Sequence, residues 1–151
     1  MLNKDYKEML LCLKQEGVKF LLVGAYALGA HGYPRSTGDI DIWIEPSQEN
    51  STKLIRALKK FGAPAANLSE KDFQKKDVIF QIGVAPCRID IITGIDGVDF
   101  AHAYANRETV SLDGEEIFVL SLKDLIVNKE STGREKDRLD VKELKKRKNK
   151  K

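Results

Sequence analysis

Residues 20–46 read FLLVGAYALGAHGYPRSTGDIDIWIEP, and the six residues DIDIWI at 39–44 decide the fold. Acidic residues disfavour strands and are seldom buried unpaired, yet Asp39 and Asp41 sit inside an apolar run. Successive strand side chains point to opposite faces. Asp39 and Asp41 therefore share one face with Trp43, while Ile40, Ile42 and Ile44 share the other. The isoleucine face anchors a core strand. On the aspartate face, two carboxylates about 6–7 Å apart along the strand repel each other unless positive charge lies between them. A divalent cation supplies it, and hard oxygen ligands suit magnesium or manganese.

A later stretch repeats the pattern. In CRIDIIT, residues 87–93, Ile89 and Ile91 face one way and Arg88, Asp90 and Ile92 the other. If this strand neighbours the first, Asp90 joins Asp39 and Asp41 in one acidic cluster. Three carboxylates are what a two-metal phosphoryl or nucleotidyl transfer site needs. A single D-x-D on a strand also occurs as an exposed edge feature. A third aspartate in an apolar strand argues against that, because unpaired buried charge is costly.

Just upstream, FLLVG reads as a strand ending at Gly24, and AYALGAHGY as a short helix. A strand–glycine–helix turn exposes backbone N–H groups that suit a phosphate. Arg35 can offset phosphate charge as a fork donor. Thr37 can donate to a nucleotide or cap the loop. Both also fit a simple turn around Pro34.

The remaining chain alternates helices and strands. YKEMLLCLKQEG spaces Tyr6, Met9, Leu10 and Leu13 for a helix stopped by Gly17. SQENSTKLIRALKKFG runs from an N-cap at Ser47 to a stop at Gly62. DVIFQIGV and CRIDIIT form a strand pair joined through Ala85 and Pro86. Asp113-Gly114 marks a hairpin. Ser121 opens a helix with Asp124 three residues on, and a last helix starts near Arg134. The pattern predicts a mixed α/β layer fold, built as one domain over residues 1–141 with a basic tail over 142–151.

Composition narrows the classes. The 151 residues suffice for one domain with a real core. No apolar run approaches the roughly 20 residues that span a bilayer, and Asp5, Glu8 and Glu16 make the start unlike a signal peptide. Cys12 and Cys87 are the only cysteines, so neither a disulfide framework nor a zinc cluster is indicated, and a reducing cytoplasm is the default compartment. The last ten residues hold seven of the 26 Lys/Arg and one of the 23 Asp/Glu. Without them the body carries −3, against +3 for the whole chain. Such a tail can bind RNA phosphates or be a solvated helix end.

VGAYALGAHGYPRSTGDIDIWIE followed by RIDII resembles the DNA polymerase β-like nucleotidyltransferase superfamily. It is most similar to small prokaryotic members, including toxin-type enzymes of abortive-infection and toxin–antitoxin systems, whose R-x-T-x-D-I-D run Arg35, Thr37, Asp39, Ile40 and Asp41 match. Ala25 stands where the family usually has a second Ser or Gly, which leaves backbone amides to serve the phosphate there. The resemblance implies a minimal nucleotidyltransferase fold: a short, twisted mixed β-sheet with helices packed mainly on one side. It implies Asp39, Asp41 and Asp90 as catalytic and metal-binding residues for Mg2+ or Mn2+. It further implies Gly24, Ala25, Arg35, Thr37 and Lys129 as nucleotide-binding residues. An NTP donates its NMP to an acceptor hydroxyl, with a tRNA end, a protein or a small antibiotic as acceptor candidates and an antitoxin as a candidate partner. LKDLIVNKESTGREKDRLDVKEL resembles the later helices of the toxin-type members. From the residues alone Lys129 also reads as a solvated lysine, and Asp137 and Asp140, at i and i+3, as partners of Arg134, Lys136 or Lys142. Three other readings stay open: a D-x-D glycosyltransferase, a catalytically weak nucleotide- or RNA-binding relative, and a nucleic-acid module led by the tail.

Overall fold

The structure, a computed structural model, describes residues 2–35 and 37–150, with only the backbone described for 147–150. Six strands form one mixed sheet: β1 (Phe20–Val23), β2 (Asp39–Ile44), β3 (Ile79–Ile82), β4 (Arg88–Ile92), β5 (Glu108–Leu112) and β6 (Glu115–Val119). Their order across the sheet is β3-β4-β2-β1-β6-β5. β2 runs parallel to β4 and antiparallel to β1, and β6 runs parallel to β1. The helices are α1 (Lys4–Gln15), α2 (Gly24–Ala30), α3 (Gln48–Phe61), α4 (Phe100–Ala105), α5 (Leu122–Ser131) and α6 (Glu135–Lys150).

Local chemistry sets the boundaries. Ser47 caps α3 by accepting from the Asn50 N–H, and Gly62 closes that helix in the left-handed conformation at φ 94°. Ser121 caps α5 through the Asp124 N–H. Asp113 and Gly114 both have positive φ, as a two-residue turn between antiparallel β5 and β6 requires.

Two apolar layers hold the sheet. Ile40, Ile42 and Ile44 pack with Ile89, Ile91, Phe20 and Leu22 against Leu10 and Leu13 of α1 and Leu54 and Leu58 of α3. On the opposite face Leu21, Val23 and Trp43 pack against Phe100 of α4, Leu125 and Ile126 of α5, and Val141 and Leu144 of α6. The mixed sheet with packed helices is as expected, but helices occupy both faces. The reason is that Leu21, Val23 and Trp43 make the aspartate face apolar everywhere except near β2's start. Trp43 itself is buried and meets Phe100 edge-on, with ring centroids 5.1 Å apart.

α6 passes residue 142 without a break, and Leu144 is fully buried. The side chains of residues 147–151, most of the basic tail's charge, lie outside the described residues. Among the described residues, no helix is long and apolar enough to cross a membrane.

Candidate active site

The parallel register of β2 and β4 pairs Asp41 with Asp90 and Asp39 with Arg88. Because the strands keep step, the three carboxylates meet on one face. One oxygen from each of Asp39, Asp41 and Asp90 lies within 4.8 Å of the others. Asp90 is 6% exposed, and the other two are half-buried. Thr37 donates its hydroxyl to Asp39 Oδ1 at 2.8 Å. Gly24 follows β1 at φ 65°, and a Cβ there would collide with the Asp41 carboxylate. Only glycine meets both conditions without strain. Gly24 and Ala25 form the first turn of α2, which no side chain caps, so backbone N–H groups remain available beside Asp41.

Arg88 is the residue that sequence reasoning missed. Its Nη2 donates to Asp39 Oδ2 at 2.8 Å and to Asp90 Oδ2 at 3.2 Å, and its Nε donates to Asp90 Oδ1 at 3.0 Å. The signal was present: Arg88 lies two residues before Asp90 and so shares its face. What was illegible is the register that sets it opposite Asp39.

One guanidinium does not neutralise three carboxylates. Burial first, then repulsion from Asp39 and Asp90, push Asp41 up from 3.8 to about 7, against the opposing pull of Arg88. The cluster thus carries more negative charge than its surroundings balance. Close, hard oxygen donors with surplus charge fit a divalent cation such as magnesium or manganese.

The other nominated cations stand elsewhere. Lys129, buried on α5, donates to Asp137 Oδ1 and Asp140 Oδ2, both at 3.1 Å. Arg35 places its fork on Asp140, with Nη1 to Oδ2 at 3.1 Å and a second contact from Nη2 to Oδ1. Thr132 and Arg134 complete the group, reaching Asp137 Oδ2 at 2.6 and 2.7 Å. Burial would raise Asp137 and Asp140. Hydrogen bonds from Thr132, Lys129 and Arg134 to Asp137, and from Arg35 and Lys129 to Asp140, outweigh it and hold both below the usual range. Lys129 is therefore not a solvated lysine, and the partners of Asp137 and Asp140 include two distant cations besides Arg134.

Both groups border one cavity of about 370 Å³, lined by Asp41 and Asp90 on the sheet, by Gly24 at the start of α2, and by Asn128, Lys129, Thr132 and Arg134 from the α5–α6 side. His31 and His102 lie apart from it. The first hydrogen-bonds the Leu120 carbonyl and the second Asp124.

A mixed sheet with three aspartates on adjacent strands, after a glycine turn, defines the nucleotidyltransferase class of fold. Solved structures match along the chain. TM1012 from Thermotoga maritima, assigned as a nucleotidyltransferase, is 19% identical over 100% of this chain and 97% of its own, with a TM-score of 0.60. The lincosamide antibiotic adenylyltransferase LnuA, in its lincomycin-bound form, is 15% identical over 96% and 97%, with a TM-score of 0.58. A nucleotidyltransferase-like antigen from Paracoccidioides brasiliensis is 15% identical over 95% and 74%, at 0.50. At such identities the likeness speaks for the fold. The profile of the family described as nucleotidyltransferases of unknown function (DUF6036) matches residues 1–148, and the chain belongs to that family. No curated protein matches.

Proposed function

We propose that the protein transfers an NMP from an NTP to an acceptor hydroxyl and releases pyrophosphate. The observation that carries the reading is the meeting of Asp39, Asp41 and Asp90 within 4.8 Å of one another, with Asp41 raised to about 7. Asp39, Asp41 and Asp90 would hold Mg2+ or Mn2+, which in this chemistry neutralises phosphate charge and acidifies the attacking hydroxyl.

The chain's own residues account for binding and orientation. The Gly24 and Ala25 amides face a phosphate beside Asp41. Thr37 orients the Asp39 carboxylate. Asp90, the most enclosed of the three, is placed to accept the acceptor's proton. Lys129 and Arg35 fix α5, α6 and the segment carrying Arg35 through Asp137 and Asp140, and contribute positive potential, Lys129 from the cavity wall itself. A tRNA end, a protein hydroxyl and a small antibiotic are all compatible acceptors. The basic tail supports RNA among them, and the resemblance to toxin-type enzymes supports a role against which an antitoxin would act.

The test incubates labelled NTPs, magnesium and a cell extract with wild type and Asp41→Ala. Transfer by wild type that Asp41→Ala lowers about a hundredfold or more is the expected result. Equal transfer by both sinks the proposal. A second reading, a nucleotide-binding relative without turnover, draws support from Arg88, which already occupies part of the carboxylate cluster. Magnesium-dependent NTP binding with no transfer to any acceptor would favour it.

A further inference from the structure

We infer that Arg134 is the residue that grips the polyphosphate of the nucleotide, a role resting on the nucleotide-transfer reading above. The cations around the cavity are unequally committed to the protein. Three cations, Arg35, Lys129 and Arg134, share two buried carboxylates, Asp137 and Asp140. Lys129 is enclosed between both carboxylates, and Arg35 spends its fork on Asp140. Withdrawing either toward a ligand would strand a buried carboxylate, which is strongly unfavourable. Arg134 differs. It is 73% exposed at its side chain and uses only Nε, on Asp137 Oδ2. Its two terminal NH2 groups have no protein partner among the described residues, and the residue lines the cavity that contains Asp41 and Asp90.

The side chain is also held in place. Asp137 is 3% exposed and is itself fixed by Thr132 and Lys129. The Arg134 N–H donates to Thr132 Oγ1 at 3.3 Å, across Gly133 at φ 71°. A guanidinium tethered at Nε with two free amino groups suits two oxygens of a polyphosphate, bound as a fork. Asp41 and Asp90 line the same cavity, so this cation balances the side of the nucleotide that faces away from them.

The test titrates the full-length chain calorimetrically, in magnesium, with each of the four NTPs and with a single-stranded RNA oligonucleotide. Wild type is compared with Arg134→Gln and Arg134→Lys. Loss of a charge-assisted fork predicts roughly tenfold weaker binding of the preferred NTP by Arg134→Gln. Partial recovery is expected in Arg134→Lys, with the melting temperature of the ligand-free protein lowered by no more than about 2 °C in both, because this exposed ion pair contributes little and Asp137 keeps Thr132 and Lys129. Unchanged NTP affinity overturns the inference. So does weakening that comes with a melting temperature several degrees lower, or weakening confined to RNA. A wild type that binds none of the four NTPs would instead defeat the nucleotide reading itself.

Discussion

Two clusters of carboxylates flank the same cavity and carry opposite electrostatic characters. Asp41 is driven up to about 7 by burial and by the neighbouring charges of Asp39 and Asp90. Asp137 and Asp140, more deeply buried, are held below their usual range. Burial pushes Asp41, Asp137 and Asp140 all upward, so burial alone does not set the opposite directions. Partners do. Asp137 and Asp140 meet three cations and a threonine hydroxyl, whereas the three aspartates of the triad have one guanidinium, on Asp39 and Asp90, and one threonine hydroxyl, on Asp39. The first cluster is a finished structural joint between α5, α6 and the loop carrying Arg35. The second is left with surplus negative charge, which the proposed metal would offset.

Asparagine at the two places separates them most sharply. Asp140→Asn leaves Lys129 and Arg35 with too little negative charge and should cost about 3 kcal/mol, roughly 6–12 °C in melting temperature for a chain of this size. Asp41→Asn removes a repelled carboxylate and keeps its shape. At pH 8 it should stabilise the metal-free protein by about 1–2 kcal/mol after screening. Thermal melts of both variants check the pair. If both variants lose stability equally, the contrast between joint and site is wrong.

Much of this was legible in the chain. Alternation in DIDIWI and RIDII put Asp39 and Asp41 on one face and let Asp90 join them if the two strands are neighbours, as β2 and β4 are, and Ser47, Gly62 and Asp113-Gly114 marked their elements because caps and tight turns are local. What escaped were long-range pairings. Arg88 meets Asp39 across 49 residues, and Arg35 meets Asp140 across 105. No local pattern encodes such contacts, so Arg35 and Lys129 looked like free cations rather than members of a network. The second apolar layer was missed for a related reason. Leu21, Val23 and Trp43 are each ordinary strand residues, and only the return of α5 and α6 makes their face a core.

Acid and metal probe the same contrast with a somewhat smaller expected effect. Asp41's pKa of about 7 lies above its ordinary 3.8. Its contribution to stability is therefore fully present below pH 3.8 and is lost as pH rises through 7. Asp137 and Asp140 are shifted down, so their contribution is present above the ordinary carboxylate range and is lost as pH falls below it. Magnesium should reverse only the first effect. At about 100 times its dissociation constant it adds about 2.7 kcal/mol. Because Asp41 is mostly protonated at pH 5, this gain should be large at pH 8 and small at pH 5. Melting curves with and without magnesium at the two pH values measure it. A gain equal at both would detach metal binding from Asp41.

The two threonine hydroxyls offer the finest comparison. Thr132 donates to Asp137 Oδ2 at 2.6 Å inside a charged network, and Thr37 donates to Asp39 Oδ1 at 2.8 Å at the edge of the triad. Valine replaces either with nearly the same shape but no donor. Thr132→Val should cost about 1–1.5 kcal/mol, since Asp137 is buried and no water can replace the lost hydrogen bond. Asp39 is about a quarter exposed at its side chain, so water can take the place of Thr37, and Thr37→Val should cost about 0.5 kcal/mol. Its effect belongs instead to transfer rate, through a less well-held Asp39. Melting temperature and label transfer, measured side by side, should rank the variants in opposite orders. The same order in both would mean that Thr37, like Thr132, serves the fold alone.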